Sequence, residues 1–467
     1  MIHPERIRHG NDHPTQKGRY VLYWMQAAQR TVCNHALEFA VRQANELGKP
    51  LVVVFGLTDR FPEANLRHYT FMLQGLSEVQ TALLQRGILF VVRHESPELA
   101  AVELAANACI IVTDVGYLKV QQRWRKYVAE HVNCPYIEVE TDVIVPVSVA
   151  YDREAYTAAI LRRKITPYLK HYLVPLKETP VKKDALGLSF KGMDVQDVRA
   201  VLGKLSLDRS VSPVEMFHGG RETATRLLDQ FIRNKLTYYK DYRNDPSTDY
   251  GSHMSPYLHF GQISPLEIAL KIRRAPGKRR EAQEAYLEEL IVRRELGINF
   301  VRYNAAYDSF QALPDWARQT LKYHRQDPRS YTYDVRSWEQ SRTHDIYWNT
   351  AQQEMVITGK MHNYMRMYWG KKILEWSKTP EEAYQTALYL NNKYELDGRD
   401  PNSFAGIAWC FGKHDRPWAE RPVFGKVRYM NAAGLRRKFD IDSYVKRIAS
   451  LADKKSAPAK NAKTSDR

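Results

Sequence analysis

Five short runs rich in Val, Ile and aromatic residues dominate the first third of the chain: RYVLYW from Arg19, PLVVVFGL from Pro50, ILFVVRH from Ile88, CIIVTDV from Cys109 and YIEVETDVIVPV from Tyr136. Helix-like stretches separate them. Continuous apolar runs alternating with helices cannot bury themselves as an alternating one-sided sheet. They predict five parallel strands with helices covering both faces, a Rossmann-like α/β domain over 18–150. The turn after the first run continues as MQAAQRTVCNHALEF, without the GxGxxG that cradles a dinucleotide, so this domain need not hold a redox cofactor.

The pattern changes after residue 150. Residues 151–213 lose periodicity, and KETPVKKDALGLSFKGMD reads as a polar crossover between domains. From His218 onward the patterns are helical, as in TATRLLDQFIRNKLTYYKDY and EAQEAYLEELIVRRELGINFVRY, so 214–450 is expected to be an all-helical domain. Residues 1–17 are expected to be a flexible N-terminus, and 451–467 a disordered basic tail.

At 467 residues two domains are the natural prior. No apolar run approaches the roughly 18–20 residues needed to span a membrane, and the N-terminus lacks a secretory apolar segment. Cys33, Cys109, Cys134 and Cys410 are scattered, without a CxxC pair, which argues against disulfides and zinc and suits a reducing cytoplasm. No metal site is expected. Of the net charge of +17, the tail carries only +3, leaving about +14 on the folded part. That excess favours a polyanionic partner, nucleic acid before anionic membrane, although charge alone also serves solubility.

Three segments are candidates for chemistry. On the helix from Glu284 to Tyr303, apolar residues occupy several faces, so Glu289, Arg293, Arg294 and Glu295 must be paired internally or face a cavity. In RNDPSTDYGSHMSPYLHFGQISP, Ser252 and Ser255, with Arg243 upstream, can cradle a diphosphate or simply cap a helix. In MHNYMRMYWGKKILEW, Asn363, Arg366 and Met367 share one face. Trp369 and Trp376 are two turns apart, roughly 10 Å along the axis, a spacing that suits electron hopping or plain core packing. Downstream, AWCFGKHDRPWAERPVFGKVRYMN interleaves Trp409 and Trp418 with basic residues, as a strand carrying an unstacked base would require.

Four pieces, SHMSPYLHFGQIS, EELIVRREL, MHNYMRM and LDGRDPNSFAGIAWCFGKHDRPWAERPVFGKVRYMN, stand in this order behind a βα domain. Together they resemble the photolyase/cryptochrome family, and class II cyclobutane pyrimidine dimer photolyases in particular. The resemblance implies a U-shaped FAD in the helical domain and a flipped-out dimer in UV-damaged DNA as substrate. It assigns Tyr239, Arg243, Ser252, His253, Met254 and Ser255 to the cofactor's diphosphate and ribose side. Asn363, Arg366, Asn391 (Asn392 as fallback) and Asp397 fall around its ring. An Arg366–Asp397 pair would favour the anionic fully reduced flavin.

The resemblance also implies that Glu289 hydrogen-bonds the damaged bases, that Met367 and Trp409 pack against the dimer, and that Arg416 and Trp418 fill the gap left in the duplex. Trp369 and Trp348, with Trp376 as a branch, would carry electrons to an oxidised flavin. An antenna chromophore, deazaflavin or folate, is possible in the interdomain cleft. The chain departs from the family pattern at Met254 in place of Leu, at Arg293 where some relatives carry a lesion-stacking Trp, and at Arg399 where other classes have Asp. The implied enzyme is a monomeric carbon–carbon lyase. Its rivals are a cryptochrome-like photoreceptor, a pyrimidine-pyrimidone photolyase and a nonphotochemical nucleic-acid binder.

Overall fold

The computed structural model of the chain describes residues 2–277 and 279–456. Its N-terminal sheet has strands β1 (Ile7–His9), β2 (Tyr20–Trp24), β3 (Leu51–Gly56), β4 (Leu89–Arg93), β5 (Ala108–Asp114) and β6 (Tyr136–Val139), in the order β1-β6-β5-β2-β3-β4. The five anticipated runs are β2 to β6, all parallel. β2, β3 and β5 are buried at every position, because helices His35–Glu46 and Leu66–Gln85 cover one face and Pro97–Ala105 and Lys119–His131 the other.

The sheet has six strands, not five, and the extra one lies in the segment expected to be a flexible terminus. β1 pairs antiparallel with β6, Ile7 opposite Val139. Arg6, 1% exposed, anchors it by donating to the carbonyls of Glu140 (3.0 Å), Val143 (3.1 Å) and Ile144 (2.5 Å). The last apolar run therefore ceases to be strand at Val139, and the carbonyls beyond it are satisfied by Arg6 together with Arg30 at Thr141 and Arg294 at Asp142.

The chain starts in the middle of the parallel strands, runs outward to β4, then returns to β5. The resulting switch point between β2 and β5 is where open α/β sheets hold ligands. Here the crevice is filled from within. The Asp114 carboxylate accepts from the backbone N–H groups of Gln26 (3.0 Å), Ala27 (3.0 Å) and Ala28 (3.1 Å), and pairs with Arg125 at 2.7 Å. A side-chain carboxylate thus takes the donors that a glycine-rich loop would offer to a phosphate.

Residues 151–213 include helices Ala158–Ile165 and Val198–Lys204 and return to the sheet, where Met193 bridges Val92. Beyond them the described residues are helical apart from the isolated bridge Arg421–Gly425. The final helix, Ile441–Ser456, takes up the start of the expected disordered tail; 457–467 lie outside the described residues. Among the described residues, no helix is long and apolar enough to cross a membrane.

The two halves are tied by specific polar contacts. Arg67, on the helix after β3, donates to the carbonyls of Met355 (3.2 Å), Val356 (2.6 Å) and Tyr394 (2.6 Å), and Arg30 donates to that of Gly261 at 3.0 Å. Gly261 takes φ +63° and packs against the backbone of Ala27 and Ala28, where a Cβ would collide with the Ala27 carbonyl.

Candidate cofactor and substrate cavity

A cavity of about 720 Å³ opens in the helical domain, within the roughly 300–1,000 Å³ of pockets that enclose large ligands. Helix Asn363–Trp376, the loop before helix Pro401–Cys410, the 243–255 segment and the Arg280–Tyr303 stretch form its walls. Tyr239, Arg243, Ser252, His253, Met254, Ser255, Glu289, Arg293, Asn363, Arg366, Met367, Asp397 and Trp409 all line it. Four scattered segments named from the sequence therefore converge on one space.

Asn391 does not line it. Fully buried, it donates from Nδ2 to Ser403 Oγ at 3.0 Å and to Asn392 Oδ1 at 3.3 Å, which places it behind Ser403, a lining residue. Asn392 is committed elsewhere, donating to Glu63 at 2.5 Å. Arg399, with φ +67°, donates to the Asn392 carbonyl at 2.7 Å and lies against His68 in the interdomain seam.

The charge centre differs in detail from the Arg366–Asp397 pair anticipated. Arg366 Nη2 is 3.0 Å from Glu395 Oε1 and 3.9 Å from Asp397 Oδ1, so one guanidinium serves two adjacent carboxyls. Glu395 was not singled out from the sequence, because the motif YELDGRD offers several acids and spacing does not say which turns inward. Burial pushes Glu395 up to about 8, against the opposing pull of Arg366. Asp397 also pays for burial, but Arg366 and Lys360 outweigh that and hold it well below its usual range. Lys360, also missed, donates to Ser255 Oγ at 2.6 Å and joins this wall to the serine segment.

The expected continuous helix from Glu284 to Tyr303 is α-helical over Arg280–Leu287 and Arg294–Tyr303, with a π-helical turn at Glu288–Arg293 between them. Such turns re-aim side chains at functional sites. Glu289, in that turn, faces the cavity and pairs with Arg243 at 2.7 Å, both side chains remaining about 30% exposed. The alternatives open at the sequence level are thus both realised: an ion pair, and a cavity wall. Its neighbours are structural. Arg294 donates to the Asp142 carbonyl at 2.7 Å, and buried Glu295 accepts from Ile144 N at 2.5 Å.

Met367 and Trp409 supply apolar surface. Behind Trp409, buried Lys371 donates to the Cys410 carbonyl and sits 5.3 Å from the indole, while Arg428 lies 5.6 Å from it. Arg416 and Trp418 are outside the cavity, on an exposed loop. Trp418, 39% exposed, is flanked by Arg428 at 4.3 Å and Arg416 at 5.4 Å.

The tryptophans form a ladder that leaves the helix. Trp369 and Trp348 stack with centroids 6.3 Å apart and planes 8° apart; Trp348 meets Trp338 at 4.7 Å, and Trp338 stacks on Trp376 at 6.2 Å. The two indoles of one helix are thus connected through Trp338, which its polar surroundings VRSWEQSRT gave no reason to single out. Trp369 Nε1 donates to Gln352 Oε1 at 2.9 Å.

The lining suits FAD. Arg366 Nε, Asp397 Oδ1, His253 Nδ1 and Arg447 Nε, all on lining residues, are buried without a hydrogen-bond partner. Buried polar atoms are rarely left so, and a group with a polar heteroaromatic edge and an anionic linker would satisfy them. Tyr239, Arg243 and Lys360 bring the aromatic and cationic surface that such a linker needs.

Comparison with known proteins agrees. The family model DNA photolyase matches residues 21–182. The chain is 54% identical over 455 residues to the deoxyribodipyrimidine photo-lyase of Methanothermobacter thermautotrophicus, covering 97% of this chain and 100% of that one. Identity to the enzyme of the same name from Arabidopsis thaliana is 40%, over 92% of this chain and 89% of that one. Among solved structures, a class III photolyase from Agrobacterium tumefaciens superposes with a TM-score of 0.70 at 17% identity, covering 95% of this chain and 91% of that one. A photolyase from Sulfolobus tokodaii, solved with two FAD molecules, gives 0.67 at 15% identity, covering 94% of each chain. Sequence, fold and cavity together make this chain a member of the DNA photolyase family.

Proposed function

We propose that the chain is a light-driven deoxyribodipyrimidine photo-lyase of class II character, which reverses cyclobutane pyrimidine dimers flipped out of UV-damaged DNA. The observation that carries this reading is that one cavity joins two unlike walls: the charged Arg366–Glu395–Asp397 wall and the apolar Met367–Trp409 wall, with Glu289 also lining it. The first suits a cofactor, the second two linked pyrimidines flipped out of the duplex.

Arg243, Ser252, Ser255 and Arg366 would hold FAD, which when bound, reduced and excited by light would supply the one-electron chemistry that opens both cyclobutane bonds with no net redox change. The residues do the rest. Arg366 places positive charge beside the cofactor wall and favours an anionic occupant. Glu289 accepts hydrogen bonds from base N–H groups and orients the lesion. To do so it exchanges part of its pairing with Arg243, which leaves that guanidinium free for the cofactor's linker. Trp409 and Met367 exclude water from the dimer's face. Arg416 and Trp418, exposed on their loop, enter the duplex where the dimer has left. The stacked pair Trp369–Trp348 leads electrons inward when the cofactor must be re-reduced.

An antenna chromophore, deazaflavin or folate, has room in the interdomain cleft, a cavity of about 1180 Å³ bordered by Arg8, Phe61, Lys119, Arg302 and Leu388. The protein is read as a cytoplasmic monomer acting on DNA, in keeping with its free cysteines and its basic charge.

The test is loss of dimers from UV-damaged DNA by prereduced protein in light, with a dark control and pyrimidine-pyrimidone lesions scored alongside. Light-dependent loss of cyclobutane dimers alone is expected. No repair by protein that holds reduced FAD would replace this reading with a photoreceptor.

A further inference from the structure

Far from the cavity, the N-terminal turn meets the short helix Leu169–Tyr172. His3, Glu5 and His171 there each offer one ligand atom, and the three atoms lie within 4.8 Å of one another. The imidazoles of His3 and His171 are 4.2 Å apart between centroids. His3 is 6% exposed, yet its Nε2 has no hydrogen-bond partner. A buried ring nitrogen left bare costs free energy unless something binds it. Glu5 lies close to Tyr172, the neighbour of His171 in sequence. Nearby Arg6 turns both terminal nitrogens to the carbonyls of Glu140, Val143 and Ile144.

We propose that His3, Glu5 and His171 form a binding site for a divalent transition metal, which clamps the N-terminal edge strand to the interdomain segment. Two imidazole nitrogens and one carboxylate oxygen form a donor set for zinc or its neighbours rather than for calcium or magnesium. Tetrahedral bonds of about 2.0–2.2 Å set ligand atoms roughly 3.3–3.6 Å apart, a closure of up to about 1.5 Å. Glu5 and His171 are exposed and free to make it. A fourth position remains for water. The role is structural: the ion would join β1, through its preceding turn, to a segment more than 160 positions away in sequence.

The experiment is zinc titration of the tag-free, FAD-loaded full chain by calorimetry, with thermal unfolding read in parallel. Uptake of one equivalent is expected, with a rise in Tm of about 2–4 °C. His171→Ala, at an exposed position, should abolish both the uptake and the rise while leaving the metal-free Tm unchanged. Glu5→Gln keeps the side chain's size but loses the charge, and should weaken zinc binding at least tenfold. Absence of saturable uptake by the wild type, or uptake unaltered in His171→Ala, would overturn the proposal.

Discussion

The sheet crevice and the helical cavity are both places where a protein of this build can lodge an anionic cofactor, and they resolve the same problem in opposite ways. At the switch point between β2 and β5, three backbone N–H groups and Arg125 converge on Asp114, so the anion is part of the chain and the site is closed. In the cavity, Arg366 and Arg447 keep unpaired nitrogens, Asp397 keeps an unpaired oxygen, and the charges are only partly balanced. Self-satisfaction marks a structural centre; unfinished pairing marks a binding one.

Replacing the plug should have the largest effect. Asp114→Ala leaves Arg125 and three donors buried without an acceptor, and a loss of about 3–5 kcal/mol is expected in denaturant unfolding. A loss below about 1 kcal/mol, typical of an exposed pair, would erase the distinction drawn between the two sites.

Glu289→Ala strikes the cavity instead. Losing a charge-assisted hydrogen bond worth about 1.5–3 kcal/mol should slow repair roughly 10- to 100-fold, with FAD content and Tm unchanged. Should the variant unfold or shed its flavin, the Arg243 ion pair, not the lesion, is what Glu289 serves.

The tryptophan ladder sharpens the contrast further, since Trp369 shares the helix of Arg366 and Met367 without lining the cavity. Trp369→Phe should slow flavin photoreduction severely yet leave repair by chemically prereduced enzyme unchanged. Trp338→Phe should have a smaller effect, confined to the outer end of the ladder. Normal photoreduction in Trp369→Phe would remove the ladder from the account.

The seam between the regions adds a pH-dependent effect. Burial raises Glu295 from 4.5 to about 8, so over that window the folded chain holds a proton that the unfolded chain has released.

Much of this was legible in the sequence, for identifiable reasons. β2 to β6 declared themselves because strands buried on both faces must be continuously apolar. β1 did not, because Ile-Arg-His has no apolar pattern of its own and becomes a strand only through pairing with β6 and through Arg6. The cavity lining was legible where a motif fixed both residue and neighbourhood, as with Ser252, Ser255 and Arg366. Glu395, Lys360 and Trp338 were not, because their roles depend on which way a side chain turns after helices pack. Asn391 shows the converse: a motif can bring a residue next to the site yet leave it behind the wall, here behind Ser403.

The most direct test of the central claim, that the helical cavity and not the sheet crevice is the chemical centre, is flavin stoichiometry by absorbance in purified variants. Arg366→Leu should lose most of its FAD, while Asp114→Asn, where it folds, should retain one FAD per chain. Flavin retained by Arg366→Leu and lost from folded Asp114→Asn would contradict it.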